Sequence, residues 1–279
     1  MVGPASKPRQ PNALGSPDGV LAARLATAVV LIAGLLAALF YLPSLWLKLV
    51  IGAVVALAAF EWGRLCRLDA YRYAGLLVAA YGIALWIRSD VVFALAAAFW
   101  VVAVPFWLWR GVEARQARLL AAAGLFVLIP AGLAVVALPA QQVLLVLGLT
   151  WVADTAAYFV GSRFGRRKLA PSISPSKTWE GAAGGLLGTL SYAIICAAFV
   201  PQRGDRLTGA QWAVYLAGAA ALCAASIAGD LFESAAKRQA GVKDSGEILP
   251  GHGGVLDRID SATSTLPLAA ALLPLIVGH

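Results

Sequence analysis

The stretch LLAAAGLFVLIPAGLAVVAL, residues 119–138, decides the fold class of this chain. Its twenty residues include no charged side chain. A helix needs about 20 apolar residues to cross the ~30 Å hydrocarbon layer of a bilayer. The stretch therefore predicts a transmembrane helix.

Comparable runs recur along the whole chain. The 279 residues are 61% hydrophobic and 13% charged, with a mean hydropathy of +0.80. This composition excludes an ordinary soluble domain, whose surface needs more charge. We predict an all-α fold, a polytopic transmembrane helical bundle of about nine spans, with eight as the alternative because the second and third runs are short. The runs are 25–42, 46–60, 73–87, 91–109, 119–138, 143–160, 181–200, 213–229 and 262–278.

The placement of Lys and Arg predicts how these spans are oriented. With nine spans and a cytoplasmic N-terminus, eighteen of the 22 basic residues fall in cytoplasmic segments and four in exported ones. Short cytoplasmic loops are enriched in Lys and Arg. This bias favours an N-terminus inside and a C-terminus outside. It also accounts for the net charge of +8 without a nucleic-acid partner.

Composition divides the chain into three regions. Residues 1–20 are rich in Pro, Gly and Ser and are predicted to form a disordered cytoplasmic tail. Residues 21–142 form a transmembrane scaffold region, and residues 143–279 form a transmembrane catalytic region, where charged and glycine-rich motifs begin. A cleaved signal peptide is the alternative for the first run, but Phe40 and Tyr41 stand where small residues would be expected. An uncleaved span is favoured.

The most informative polar stretch begins just after span eight. If that span continues as a helix, five polar residues share one of its faces. In soluble proteins such a face is usually solvated. Here it emerges directly from an apolar span, where ionisable groups indicate function. The five residues are Asp230, Glu233, Ser234, Lys237 and Arg238.

A second polar stretch leads into span nine. Pro250 and the glycines at 251, 253 and 254 predict a loop whose backbone approaches a ligand closely. The helix that follows places Asp257, Asp260 and Ser261 on one face. Structural ion pairs with Arg258 and neighbouring cations are the alternative role of these two aspartates.

Carboxylates at the mouths of two spans, beside a glycine-rich loop, suit Mg²⁺ and phosphate. Mg²⁺ usually takes one or two carboxylates and completes its shell with substrate phosphate. Asp230 and Asp257 are the best candidates, with Asp260 next to them. Nearby cations would neutralise charge on phosphoryl oxygens. These cations are Lys237, Arg238 and Arg258.

His252 and the loop before span seven can each be interpreted as ligand-binding or as structural. His252 either donates to a phosphate or caps its turn. The loop before span seven carries four polar residues that suit recognition of a polar ligand, although its serines and threonine could equally cap that span. Asp154, inside span six, is predicted to face the bundle interior. The four loop residues are Ser174, Lys177, Thr178 and Glu180.

These motifs together resemble those of the phosphatidate cytidylyltransferase family, also called CDP-diacylglycerol synthases. The likeness is strongest over residues 150–265, whereas the first half is similar only as a hydrophobic multi-span region. No motif position departs from the family pattern. The motifs are Ala153-Asp-x-x-Ala-Tyr158, Ser174-Pro-x-Lys-Thr-x-Glu-Gly181, Ser234-x-x-Lys-Arg238, Lys243-Asp244 and Pro250-x-His-Gly-Gly-x-x-Asp-Arg-x-Asp260.

The resemblance implies transfer of the cytidylyl group of CTP to phosphatidic acid, which forms CDP-diacylglycerol and pyrophosphate in phospholipid biosynthesis. It implies Mg²⁺ held by Asp230 and Asp257, together with a monovalent cation such as K⁺. Substrate or phosphate contacts are implied for Ser234, Lys237 and Arg238. It also implies a homodimer. The basic residues of both motif loops predict that the site faces the cytoplasm, at the inner cell membrane.

Three rival functions fit part of the pattern. A cytidylyltransferase for another lipid phosphate and a lipid kinase using CTP are the nearest, and the motif from Ser234 to Asp260 argues against the kinase. A cation-coupled transporter would place its ionisable groups near the membrane midplane, often in broken helices or repeats. Here the acids collect at the cytoplasmic ends of successive segments, which favours an enzyme.

The span count and orientation can be tested with a reporter fused after His279. A nine-span chain with its N-terminus inside should place this reporter outside the cell, because an odd number of crossings separates the two ends. Protease accessibility in intact cells measures the outcome. A cytoplasmic reporter would mean that the span count is off by one.

Overall fold

The computed structural model describes residues 17–87, 89–113, 116–199, 208–249 and 253–277. Within these ranges the chain forms nine helices and one two-stranded hairpin. The helices are α1 (Pro17–Tyr41), α2 (Ser44–Leu65), α3 (Ala70–Ala84), α4 (Ser89–Arg110), α5 (Ala117–Ala137), α6 (Ala140–Phe164), α7 (Trp179–Phe199), α8 (Gly209–Ala240) and α9 (Leu256–Val277), and the strands are β1 (Lys168–Ala170) and β2 (Ser174–Thr178).

The predicted helical fold is confirmed, and each predicted run overlaps one of these helices. Six helices are long and apolar enough to cross a membrane, namely α2 and α4 to α8. The apolar part of α1, Ala26–Tyr41, is shorter, and α3 has only 15 residues. The chain is therefore a multi-pass membrane protein, and the count of nine spans and their orientation stay predictions. Residues 1–16 of the predicted tail lie outside the described residues, while α1 begins at Pro17.

Local sequence explains two irregular points in these helices. A π-helical segment interrupts α4 over Phe99–Ala103, two residues before Pro105, whose ring nitrogen cannot donate to the preceding turn. Helix α8 begins with a reciprocal capping box between Thr208 and Gln211. It ends at Gly241, which adopts the left-handed conformation at φ 79°. Asp230 to Arg238 thus continue α8 as predicted.

Helix α9 lies at the centre of the bundle. It packs against α8, α5, α4 and α6. The outward surface is apolar, and Val30, Val102 and Leu187 are each more than half exposed. Such a surface suits contact with lipid tails, where apolar side chains lose nothing by facing outward.

Glycines allow α6 and α7 to approach closely. A Cβ atom at Gly184 would lie 2.5 Å from the Val160 Cβ, and one at Gly188 would lie 2.8 Å from the Ala156 Cβ. Small residues at four-residue spacing let helix backbones meet in membranes. The glycines of α7 therefore serve helix packing.

The hairpin is a feature that the sequence reading did not predict. Its strands are antiparallel, with Lys168 opposite Thr178 and Ala170 opposite Ser174. The Trp179 amide then donates to the Arg167 carbonyl at 2.9 Å, which ties the start of α7 to the basic loop. The hairpin carries Lys177 towards α8, on the polar side of the bundle.

Replacing Gly184 by alanine should lower the apparent melting temperature of the purified protein, because overpacking of this kind costs about 1–3 kcal/mol. The matched control is Gly82→Ala in α3, where a Cβ would meet no atom within 4 Å. That control should be neutral or slightly stabilising, since Gly is a poor helix former. Equal melting temperatures for the two variants would contradict the close contact. Differential scanning fluorimetry in detergent measures both.

Candidate active site

A cavity of about 1000 Å³ opens among α1, α2 and the helices from α5 to α9. One wall is apolar and includes Ile32, Leu35, Val54 and Val135. The charged side chains of the lining come from α6, the hairpin, α8 and the start of α9, and together they form its polar wall. Such a cavity suits a ligand with one apolar and one ionic part. The charged lining residues are Asp154, Lys177, Asp230, Asp257, Arg258 and Asp260.

Asp230 joins the hairpin to α8. The Lys177 ammonium from β2 lies 2.5 Å from the Asp230 Oδ2, and both side chains are about three-quarters buried. One turn further along α8, the Ser234 hydroxyl donates to the Asp230 Oδ1 at 3.2 Å. Two residues of the predicted polar face of α8, Asp230 and Ser234, are therefore in contact. The cation beside Asp230 is Lys177, which comes from the loop predicted to recognise a polar ligand.

Lys237 lies between two buried carboxylates. Its ammonium lies 3.2 Å from the Glu233 Oε1 and 2.7 Å from the Asp257 Oδ1. The side-chain exposures of Lys237, Glu233 and Asp257 are 12%, 4% and 7%. Buried charges of opposite sign stabilise one another only when they are held together. This triad links α8 to the first turn of α9.

The second oxygen of Asp257 is engaged by the loop before α9. Its Oδ2 accepts from the Gly254 amide at 2.8 Å, the Ser245 amide at 3.0 Å and the Ser245 hydroxyl at 3.0 Å. Gly253 precedes these contacts at φ 81°, in the left-handed region that favours glycine. Asp257 is thus part of an ion pair, as the alternative interpretation held, but its cation is Lys237 and not Arg258.

Glu61 enters the same region from α2 and is fully buried. Its Oε1 accepts from the Val255 amide at 3.0 Å, and its Oε2 accepts from the Leu256 amide and the Ser245 hydroxyl, each at 2.9 Å. The first amides of a helix have no acceptor within it. Glu61 supplies that acceptor for α9 from the N-terminal half of the chain.

Asp154 lines the cavity and is solvent-exposed there, on the side of α6 that faces α8 and α9, as predicted. The Ser226 hydroxyl from α8 and the Ser261 hydroxyl from α9 lie 3.5 and 3.4 Å from its carboxylate. Asp154, Asp230 and Asp260 all line the cavity, and the Lys177 ammonium lies beside Asp230. Three carboxyl groups therefore converge on the polar wall, with one cation close by.

The loop before α7 is divided between structural and cavity-lining residues. Thr178 lines the cavity, but its hydroxyl also accepts from the Gly181 amide at 3.1 Å and so caps α7. Glu180 accepts from the Arg166 and Arg167 amides at 3.0 and 3.2 Å, outside the cavity. Ser174 is also outside it and contacts the Ser176 hydroxyl at 3.4 Å. Helix capping and loop anchoring thus account for part of this motif.

The structure gathers most of the predicted site residues in one place. Lys177, Thr178, Asp230, Asp257, Arg258 and Asp260 line the cavity, and Ser234 and Lys237 contact its aspartates. Arg238 is exposed and donates to the Ile173 carbonyl at 3.3 Å, so it braces the hairpin from outside. His252 lies outside the described residues.

No preformed metal cluster exists in the described ranges, since no three or more His, Cys, Asp and Glu side chains are grouped to hold an ion. The donor chemistry nevertheless fits Mg²⁺, which needs oxygen ligands and often only one or two carboxylates. Asp230 and Asp260 lie on the same polar wall, where their charges repel. A divalent cation would relieve that repulsion. Asp257 fits less directly, because both of its oxygens already have partners.

Comparison with known proteins places the chain in a family. Residues 22–276 match the model of the Cytidylyltransferase family. The chain belongs to this family. A phosphatidate cytidylyltransferase of Pseudomonas aeruginosa is 41% identical over 275 residues, which cover 91% of this chain and 97% of that protein. One of Haemophilus influenzae is 35% identical over 89% of this chain and 96% of its own length.

A third relative matches over a shorter length. A phosphatidate cytidylyltransferase of Thermotoga maritima is 43% identical over 141 residues, about half of each chain. Membership of the Cytidylyltransferase family confirms the resemblance that the motifs indicated. The family model also matches the N-terminal half of the chain, since the match begins at residue 22. That half therefore belongs to the family fold and is more than a hydrophobic region.

Sequence reasoning missed two residues of this site, Glu61 and Ser245. Glu61 directly follows the predicted span 46–60, in the sequence Ala58-Ala-Phe-Glu-Trp62. An isolated acid among apolar residues at a membrane helix is costly and indicates function, so this signal was available. Ser245 carries no comparable signal, because a serine in a polar loop is ordinary.

Replacing Lys237 by methionine should lower the apparent melting temperature, because Glu233 and Asp257 would lose their cation. Breaking a buried ion pair in this way costs about 3–5 kcal/mol. Glu233→Gln in the same background should recover part of the loss, since only one buried charge then remains unpaired. Thermal unfolding of both purified variants in detergent measures this. A Lys237→Met protein as stable as the wild type would contradict the triad.

Proposed function

We propose that this protein is a phosphatidate cytidylyltransferase, which forms CDP-diacylglycerol and pyrophosphate from CTP and phosphatidic acid. The family match over residues 22–276 and two nearly full-length relatives of that name support the assignment. The structural observation that carries it is the two-sided cavity. A membrane lipid with a phosphate headgroup has the same division between an apolar and an ionic part.

The cavity suggests how the two substrates would be arranged. Acyl chains would lie along the apolar wall that α1, α2 and α5 provide. The lipid phosphate and the CTP phosphates would meet at the polar wall, near Lys177 and Arg258. These two cations would offset the repulsion between two anionic substrates. Removing water from this wall strengthens each of these interactions.

The proposed reaction is a direct displacement at phosphorus. An oxygen of the phosphatidate phosphate forms a bond to the α-phosphorus of CTP, and the bond from that phosphorus to the oxygen bridging the β-phosphorus breaks. Pyrophosphate leaves with the electron pair of that bond. No general base is required, because the lipid phosphate is already ionised at neutral pH. Positioning and charge stabilisation then provide most of the catalysis.

The proposed cofactor is Mg²⁺, held by Asp230 with Asp257 and Asp260 as its further candidates. When bound, it would neutralise charge on the phosphate oxygens. Lys177 now pairs with Asp230 and would turn to a phosphate once that carboxylate has another partner. Lys237 would hold Asp257 in place through both states, because it also pairs with Glu233.

Several features of the proposal extend beyond the family assignment. We place the polar end of the cavity on the cytoplasmic side of the inner membrane, because the basic residues cluster in the loops of that side. CTP would then reach the site from the cytoplasm and phosphatidate from the bilayer. A monovalent cation such as K⁺, contacts from Ser174, Glu180 and His252, and a homodimer stay predictions.

The activity can be tested with purified protein in detergent, supplied with Mg²⁺, phosphatidic acid and each nucleoside triphosphate in turn. Pyrophosphate and CDP-diacylglycerol should form with CTP and depend on the lipid. Formation of cytidine diphosphate and a phosphorylated lipid would instead indicate a kinase. Absence of any CTP-dependent product would refute the proposed function.

Asp257→Asn should abolish turnover while the protein still inserts and purifies, because the carboxylate that orients Lys237 and faces the cavity is lost. The matched control is Asp69→Asn, at the N-cap of α3 far from the cavity. Asparagine caps helices about as well as aspartate, so this control should keep wild-type activity. Initial rates of pyrophosphate release compare the two. Activity in the Asp257→Asn variant would remove Asp257 from the site.

A further inference from the structure

We infer that Glu61 is a positioning residue of the active site, although it lies in the region that resembles a scaffold. It orients Asp257 and the loop before α9 without contacting substrate. The inference rests on the proposed function for its kinetic consequences. The position of Glu61 is given by its own contacts and does not depend on the proposed function.

The first observation is the location of this carboxylate. Glu61 is fully buried, and its hydrogen-bond donors are 184 to 195 residues away in sequence. Two of them, the Val255 and Leu256 amides, are the free N–H groups at the start of α9. A negative charge is favourable there, since aligned peptide dipoles make a helix N-terminus positive. Glu61 thereby fixes the start of α9 against α2.

The second observation is a shared donor. The Ser245 hydroxyl lies 2.9 Å from the Glu61 Oε2 and 3.0 Å from the Asp257 Oδ2. A hydroxyl has one proton, so the two carboxylates share a single donor. The Ser245 amide reinforces the contact to Asp257 at 3.0 Å. Moving Glu61 would therefore shift Ser245, and with it the oxygen of Asp257 that faces the loop.

The third observation is the space made for this carboxylate. A Cβ atom at Gly246 would lie 2.5 Å from the Glu61 Oε1, and one at Gly254 would overlap both the Ser245 hydroxyl and the Glu61 carboxylate. Both glycines are therefore needed for the loop to close around Glu61. Gly254 therefore makes room for the buried Glu61 carboxylate. The sequence had predicted that the backbone at this glycine approaches a ligand instead.

The chain of contacts from Glu61 through Ser245 and Asp257 reaches the cavity. Asp257 holds the Lys237 ammonium at 2.7 Å, and Asp257 itself lines the cavity. Glu61 is absent from the cavity lining, so its effect on substrate is indirect. Its expected contribution is geometric, and small displacements of reacting or orienting groups are costly in rate.

The decisive variant is Glu61→Gln, which keeps the length of the side chain. Its amide group would present N–H donors to backbone amides that need an acceptor. We expect kcat to fall about 10- to 100-fold, the usual effect of losing a partner that orients a site residue. Ser245→Ala should add little further loss in this background, because both residues act through Asp257.

A matched control separates positioning from general stability. Tyr73→Phe removes one buried hydrogen bond, from the Tyr73 hydroxyl to the Ala121 carbonyl at 2.6 Å, in the same half of the chain. It touches no member of the Glu61 cluster. It should keep wild-type kcat at temperatures where both variants are folded. A comparable loss of kcat in Tyr73→Phe would overturn the inference.

Hydrogen exchange provides a readout that does not depend on activity. In Glu61→Gln, the peptide covering residues 253–258 should exchange its amides faster than in the wild type, whereas Tyr73→Phe should leave this peptide unchanged. Unchanged exchange, or wild-type kcat in Glu61→Gln, would overturn the inference. A wild-type protein that makes no CDP-diacylglycerol would refute the proposed function instead. In that case the hydrogen-exchange result would still test whether Glu61 holds the loop before α9 in place.

Discussion

Charge compensation in an apolar interior is the constraint on which this structure depends. Glu233, Asp257 and Lys237 are almost completely buried, and the Lys237 ammonium is held beside both carboxylates because a buried charge without a partner is costly. Holding them together requires the C-terminal part of α8 to lie against the first turn of α9. That contact in turn places Asp230 and Asp260 on one wall of the cavity. The position of the ionic wall therefore follows from the pairing of a few charges.

The same constraint joins the two halves of the chain. Glu61 in α2 needs hydrogen-bond donors because it is buried, and the start of α9 needs acceptors because its amides are free. The Glu61 carboxylate accepts hydrogen bonds from these amides, although the two groups are almost 200 residues apart in sequence. The Gln239 amide adds a second tie, donating to the Leu65 carbonyl at 2.8 Å. The N-terminal helices thus hold the site as well as forming the apolar wall.

The cavity combines two environments that a soluble enzyme would have difficulty maintaining together. Its apolar wall comes from membrane helices, and its ionic wall comes from the ends of α8 and α9 and from the hairpin. Phosphate chemistry needs the ionic wall, and a lipid needs the apolar one. Joining them in one space allows a membrane lipid to react without leaving its bilayer, which agrees with the proposed activity.

Local sequence was enough to predict the helical class, the continuation of α8 through Arg238 and the helical placement of Asp257 and Asp260. These follow from local periodicity and from the length of apolar runs, which physical chemistry ties directly to helices in a bilayer. The packing of the folded chain was needed to show that Lys177 pairs with Asp230, that Lys237 is the cation of Asp257 and that Glu61 belongs to the site. Those contacts join residues far apart in sequence. Their geometry depends on how whole helices pack, and residue spacing along one chain segment carries no such information.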